Sequence, residues 1–267
     1  ESGIYADNWG AYISNPSWWQ TTIVANKVNF VTYYMSSLLD DSGNRTLMRA
    51  HLTNRVNAGI KRNFCNVTQS VNAITVSDSG TAAGYNNSCS TSAQKFTGLS
   101  QEWEFWKDNP YGDFTTFKTN DLAIYNYCKA QGLEYNIYVA RCKDVAGVSS
   151  ADQVAYWLVT HHDNIYLVDY VSTAKYNTYK GLSDGIKTQL ILIANAAKAA
   201  GKVQKVQILW ASTGNAGDNM YSWFIAHPNL LNAYSGFKNA YNNWPFTNKT
   251  SLNITGQKIY NFSGLYD

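Results

Sequence analysis

The 267-residue sequence is poor in the residues that mark most specialised proteins, and each shortage removes a class of function. Charged residues make up only 15% and the net charge is +3, with no run of Lys or Arg, so a nucleic-acid partner is not expected. Its 4 His form no His-Glu-x-x-His pair, and Gly-x-Ser-x-Gly, a phosphate loop and Gly-x-Gly-x-x-Gly are all missing. A Ser or Cys nucleophile therefore lacks an obvious base. With 4 Pro, no proline-rich linker divides the chain, which reads as one domain over 1–267. No apolar stretch reaches the ~18 residues needed to span a bilayer, and none resembles a signal peptide. A chain beginning at Glu1 fits an exported, mature protein as well as a trimmed one, and we expect a secreted or extracytoplasmic monomer.

The 4 Cys are never spaced as Cys-x-x-Cys, so a zinc site is not expected; Asp7, Asp144 and Asp169 could join Glu102 and Glu104 as oxygen ligands, but the expectation is of no metal and no cofactor. Local disulfides, Cys65 with Cys89 and Cys128 with Cys142, are one reading, and buried free thiols are the other. Asn-x-Ser/Thr triplets stand at Asn44, Asn66, Asn86, Asn248, Asn253 and Asn261, acceptors only where the host glycosylates. What the chain does have is rings: 20 Tyr and 9 Trp against 10 Phe. Tyr and Trp join an apolar face to a polar tip, which suits a surface for sugars or other polar ligands and equally suits the core.

Apolar runs of five to eight residues recur, separated by segments of helical period. The expected strands are 3–8, 28–34, 60–65, 98–105, 134–140, 164–170, 203–211 and 258–262. Helices are expected over 45–56, over 120–131 with its stop at Gly132, from the capping residues Ser149 and Ser150 onward, and over 185–200. Eight alternating units predict an α/β fold, a (β/α)8 TIM barrel, rather than an open sheet. The stretch 68–95, rich in Ser, Thr, Asn and Gly, reads as a long loop over the barrel mouth, and 214–257 as a second excursion. His161 and His162 read as a surface turn.

The fourth strand carries the chemistry. In Ser100-Gln101-Glu102-Trp103-Glu104, residues two apart share a face, so Ser100, Glu102 and Glu104 point together, with Cα atoms about 6.7 Å apart in sequence. Two carboxylates facing a barrel interior repel each other, which raises at least one pKa and prepares a general acid. The plainer alternative is a strand end whose glutamates bond to neighbouring Arg or Tyr groups; Arg141 and Lys143 are candidates for such pairing.

Phe96-Thr97-Gly98-Leu99-Ser100-Gln101-Glu102-Trp103-Glu104 resembles the fourth-strand signature of glycoside hydrolase family 18, the chitinases and endo-β-N-acetylglucosaminidases. Phe96, Gly98 and Glu104 fall in register with that pattern. Gly3-Ile4-Tyr5-Ala6-Asp7-Asn8-Trp9 is similar to the family's first strand, and Ile165-Tyr166-Leu167-Val168-Asp169-Tyr170 is a looser likeness of its sixth. The departures are specific: Ser100 and Glu102 stand where the family has aspartates, Thr97 replaces the Asp before the glycine, Gln101 replaces a hydrophobic residue, and Val171 follows Tyr170. The resemblance implies a glycan or glycoprotein substrate and a substrate-assisted, retaining hydrolysis without cofactor or metal. It implies that Glu104 is the general acid and base, that Glu102 orients the acetamido group and that Tyr170 bonds its oxygen. Tyr5, Ser100, Trp210, Tyr260 and Phe262 would then line the sugar site. A glycan-binding barrel without hydrolysis, and a two-carboxylate glycosidase of another barrel family, are the rival expectations.

Overall fold

The structure, a computed structural model, describes residues 1–6, 16–34, 36–68, 76–106, 113–143, 145, 148–212 and 219–260. Its strands are β1 (Ser2–Ala6), β2 (Phe30–Tyr33), β3 (Arg62–Thr68), β4 (Gly98–Glu102), β5 (Glu134–Val139), β6 (Asn164–Val168), β7 (Gln204–Ala211) and β8 (Leu252–Tyr260). Each pairs in parallel with the next, and β8 pairs with β1, closing the barrel. The fold is thus the (β/α)8 barrel that the alternating pattern predicts. Buried on both faces, the strands read as nearly continuous apolar runs, as in Asn164-Ile165-Tyr166-Leu167-Val168.

Helices α1 (Pro16–Ala25), α2 (Ser42–Asn57), α3 (Val76–Asn87), α4 (Phe114–Gln131) and α5 (Ala151–His161) follow the first five strands in turn. After β6 come α6 (Thr173–Tyr179) and α7 (Asp184–Ala199), and after β7 come α8 (Tyr221–Ile225) and α9 (Leu230–Asn243). Their ends follow local rules. Asp41 caps α2 by accepting the Asn44 N–H at 2.8 Å, and Asp113 caps α4 through Thr116 at the same distance. Gly132 ends α4 at φ 65°, a left-handed conformation that costs a side chain more than glycine. On α7, Ile186, Leu190, Ile193 and Ala197 form the stripe that covers the sheet.

Three expectations are corrected. The stretch 68–95 is not all loop: α3 lies within it, anchored by buried Ala82 and Tyr85 despite a composition that favours turns. The second excursion is likewise structured, and β8 begins at Leu252, six residues before the expected strand. All four cysteines are free thiols. Cys89 donates to the carbonyls of Tyr85 and Gln94 at 3.3 and 3.4 Å, and burial pushes Cys128 and Cys142 up to about 12, where a thiol is inert. Among the described residues, no helix is long and apolar enough to cross a membrane.

Candidate active site

Alternation along β4 separates two environments. Trp103 and Phe105 turn outward onto α4, where Trp103 meets Phe117 at 5.7 Å and Phe105 stacks on the same ring at 4.2 Å. Burying these rings fixes the opposite face of the strand end over the barrel mouth. Glu102 and Glu104 occupy that face, both half-buried. Asn66 of β3 donates to Glu102 Oε2 at 3.2 Å, and Tyr138 of β5 donates to Glu104 Oε1 at 3.5 Å. The Tyr170 hydroxyl lies within reach of Tyr138, so a chain of phenols leads from the sixth strand towards Glu104.

The rings form one continuous bed. Tyr260, at the end of β8, lies 6.1 Å from Tyr5 and 6.1 Å from Tyr170, and Trp106 lies 5.5 Å from Tyr138. Burial, followed by the Glu102 charge, pushes the Tyr5 and Tyr138 hydroxyls well above the ordinary phenol range. For Tyr170 burial leads, with Tyr138 and Glu102 next. These phenols are neutral hydrogen-bonding groups rather than bases. Ser100, on the same face one step deeper than Glu102, faces the Tyr5 hydroxyl, and neither oxygen makes a hydrogen bond of ordinary geometry.

Lys258 lies beneath this layer, fully buried in the barrel interior. Its ammonium sits 3.6 Å from the Tyr5 ring centre and 3.8 Å from that of Tyr166, and it donates to Thr32 Oγ1 at 2.6 Å. Burial lowers its pKa well below the usual lysine range, and the Glu102 charge opposes that shift. Deeper still, Arg62 closes the bottom, bonded to Glu1 and Glu134 at 2.6 Å each and lying against the rings of Phe30 and Phe64.

The structure therefore brings Tyr5, Ser100, Glu102, Glu104, Tyr170 and Tyr260 to one end of the barrel. Trp210 is elsewhere. Its ring points outward from β7 and packs on Tyr176 at 5.3 Å and Phe237 at 5.8 Å, in the layer between sheet and helices. A strand-end tryptophan reads the same in sequence on either face; the parity that puts Gln207 inward puts Trp210 outward. Phe262, Asp144 and the Asp7-Asn8-Trp9 end of the opening motif lie outside the described residues.

Several further sequence readings acquire a physical account. Gln101 faces outward, where its amide meets the Tyr135 hydroxyl in a buried network. There Asp121 accepts from Tyr135 at 2.7 Å, from Trp157 Nε1 at 2.6 Å and from His162 Nε2 at 3.0 Å. His162 is thus a structural residue behind β4 to β6, not part of a surface turn. Arg141 donates to the Trp106 carbonyl at 2.8 Å and steadies the loop after Glu104. Asn66 and Asn86 are buried, with Asn86 donating to Phe96 O at 3.0 Å, so neither is a glycan acceptor in the folded chain. Asn66, Tyr138 and Lys258 are not among the site residues expected from the sequence. For Lys258 the signal was present: it shares strand parity with Tyr260, two residues on.

Fold and site together define the class: a (β/α)8 barrel with a polar, ring-lined centre at the C-terminal end of its strands, where such barrels carry their chemistry. Solved structures similar to this chain are barrels too. A group IV chitinase of Ostrinia furnacalis, in complex with allosamidin, is 12% identical with a TM-score of 0.48, over 79% of this chain and 65% of the chitinase chain. A dihydrodipicolinate synthase of Agrobacterium tumefaciens is 13% identical with a TM-score of 0.43, over 97% of this chain and 68% of the other. The chain thus spans just under two thirds of that chitinase. These likenesses concern the barrel and decide nothing about its chemistry. No protein-family model matches the chain, and no curated protein sequence matches it.

Proposed function

We propose that the chain is a glycoside hydrolase of the family 18 type, cleaving β-linked N-acetylglucosaminyl bonds in chitin-like chains or glycoprotein glycans. The observation that carries this reading is the pair Glu102 and Glu104 at the mouth end of β4, beside the ring bed of Tyr138, Tyr170 and Tyr260. The Tyr138 hydroxyl donates to Glu104 Oε1 and helps hold the side chain at the mouth, where in this reading its carboxyl carries the catalytic proton. Glu104 passes that proton to the glycosidic oxygen as the bond breaks. The substrate's own acetamido oxygen attacks the anomeric carbon from the opposite face, which retains configuration after water completes the reaction. Glu104, now ionised, takes the proton from that water. Glu102, steadied by Asn66, accepts the acetamido N–H and aligns the group, while Tyr170 donates to its oxygen.

Action as a monomer on glycans outside the cytosol belongs to the same proposal. A second reading, a glycan-binding barrel without turnover, is favoured by Ser100, a short hydroxyl where the family 18 pattern has an aspartate.

Release of reducing ends from chitooligosaccharides and from a high-mannose glycoprotein tests the reading. Wild type is expected to hydrolyse one of these substrates, and Glu104→Gln to lose roughly 10²–10⁴ of that rate, the usual worth of a general acid. Equal rates would remove Glu104 from the mechanism. Calorimetric binding without any release of reducing ends would replace the enzyme by the binding barrel.

A further inference from the structure

The interior of this barrel holds its charges in two levels. At the bottom, Arg62 is satisfied by two carboxylates, Glu1 and Glu134. One level up, Lys258 has no carboxylate in hydrogen-bonding contact among the described residues. It is enclosed by Tyr5 of β1, Thr32 of β2 and Tyr166 of β6, and the charges that act on it are those of Glu102 on β4 and Arg62 on β3. The Tyr5 ring touches the ammonium on one side, and its hydroxyl faces Ser100, the residue below Glu102 on the same strand face. The Lys258 side chain is thus fully buried in the interior on the side of the barrel opposite β4, within the electrostatic influence of Glu102. Burial pulls this lysine towards its neutral form, the two ring faces recover only part of the lost hydration, and the Glu102 charge opposes the shift and favours the ammonium. Its placement calls for a negative charge nearby, and Glu102 provides one.

We propose that Lys258 is the positioning residue of this site: its buried side chain, clamped between Tyr5 and Tyr166, couples to Glu102 across the barrel and holds it as a carboxylate. In the pattern that the fourth strand resembles, an aspartate stands where this chain has Ser100. Here the partner that sets the charge of the orienting carboxylate lies not on β4 but on β8, across the barrel. The acetamide-orienting part of this role rests on the proposed glycosidase function, whereas the charge coupling itself is independent of it.

The coupling is reciprocal, so it is measured from both ends. Glu1, Glu102, Glu104 and Glu134 are the glutamates of the sequence, few enough to resolve one by one by carboxyl-carbon NMR. In Lys258→Met, the Glu102 titration is expected to move up by roughly one to three pH units, the usual effect of a nearby opposite charge. In Glu102→Gln, which keeps the side chain's shape, the Lys258 side-chain carbon titration is expected to move down by a comparable amount. If Lys258→Met does not fold, the Glu102→Gln arm decides alone. Unchanged titrations overturn the proposal.

Activity adds the readout that a purely structural lysine would not move. Lys258→Met is expected to shift the acidic limb of the pH–rate profile upward, and Lys258→Arg, which keeps the charge, to restore it. A uniform fall in kcat with the limb unmoved would overturn the positioning role. If wild type hydrolyses no glycan, the glycosidase reading fails, and the titrations still decide whether Lys258 holds Glu102 ionised.

Discussion

At the scale of single residues, two buried groups give the molecule opposing responses to pH. Asp169 faces the helices just past β6, and burial lifts its carboxyl to about 7, with Lys175 pulling the other way. The unfolded chain releases that proton near pH 4, so between roughly pH 4 and 7 the folded state holds more protons and stability falls as pH rises. His51 behaves in the opposite sense. Buried against Tyr33, its imidazole is held down to about 3 by burial and then by Arg55. The unfolded chain takes up this proton near pH 6.5, so stability falls as pH drops from there. Between about pH 4 and 6.5 the two slopes oppose each other. Asp169→Asn is therefore expected to make stability rise more steeply with pH across that window, and His51→Gln to make it fall. Each changes the slope by up to about 1.4 kcal/mol per pH unit. Urea unfolding at pH 4.5, 5.5 and 6.5 measures both, and parallel curves for wild type and variants would refute the assignment.

At the scale of elements, the glycine of the fourth-strand motif has a structural reason. A Cβ on Gly98 would lie 2.2 Å from the Glu134 carbonyl oxygen, so β4 and β5 close together only because that position has no side chain. Gly132 is a useful contrast: its φ is 65°, but a Cβ there would meet nothing. Gly132→Ala is expected to cost about 1–2 kcal/mol, the strain of a left-handed residue. Gly98→Ala is expected to cost at least as much through overpacking, and also to displace the strand end that carries Glu102 and Glu104. A displacement of about 1 Å there would lower the proposed hydrolysis on the order of a hundredfold. Urea denaturation together with kcat/KM separates the two variants; a Gly98→Ala protein with wild-type kcat/KM would contradict the account. The buried Asp121, His162 and Tyr135 network acts at this scale too, bracing β4 from behind through Gln101.

At the scale of the whole molecule, closure of the barrel depends on contacts among distant strands. Arg62 reaches from β3 to Glu134 of β5 and to Glu1, so it ties the bottom of the cylinder across its axis. Arg62 and Glu134 are about a quarter exposed and Glu1 is 39% exposed, so both pairs are partly screened. Arg62→Leu is expected to cost about 1–3 kcal/mol, less in high salt, as read by thermal and urea unfolding. No loss at low salt would show that ring packing alone closes the base.

The sequence by itself determined the alternation of eight strands with helices, because hydrophobic period and capping chemistry act over a few residues. It also determined that Glu102 and Glu104 share a face, because strand parity is local. It did not determine which face. That was decided when Trp103 and Phe105 found Phe117 on α4, leaving the acids to the mouth. The same tertiary choice sent Trp210 to the helix side, buried His162 beside Asp121, and kept the cysteines as thiols, since none of these depends on neighbours in sequence alone. Lys258 is the clearest case: its partners Tyr5, Thr32 and Tyr166 come from three other strands, and only closing the sheet into a cylinder brings them around one ammonium.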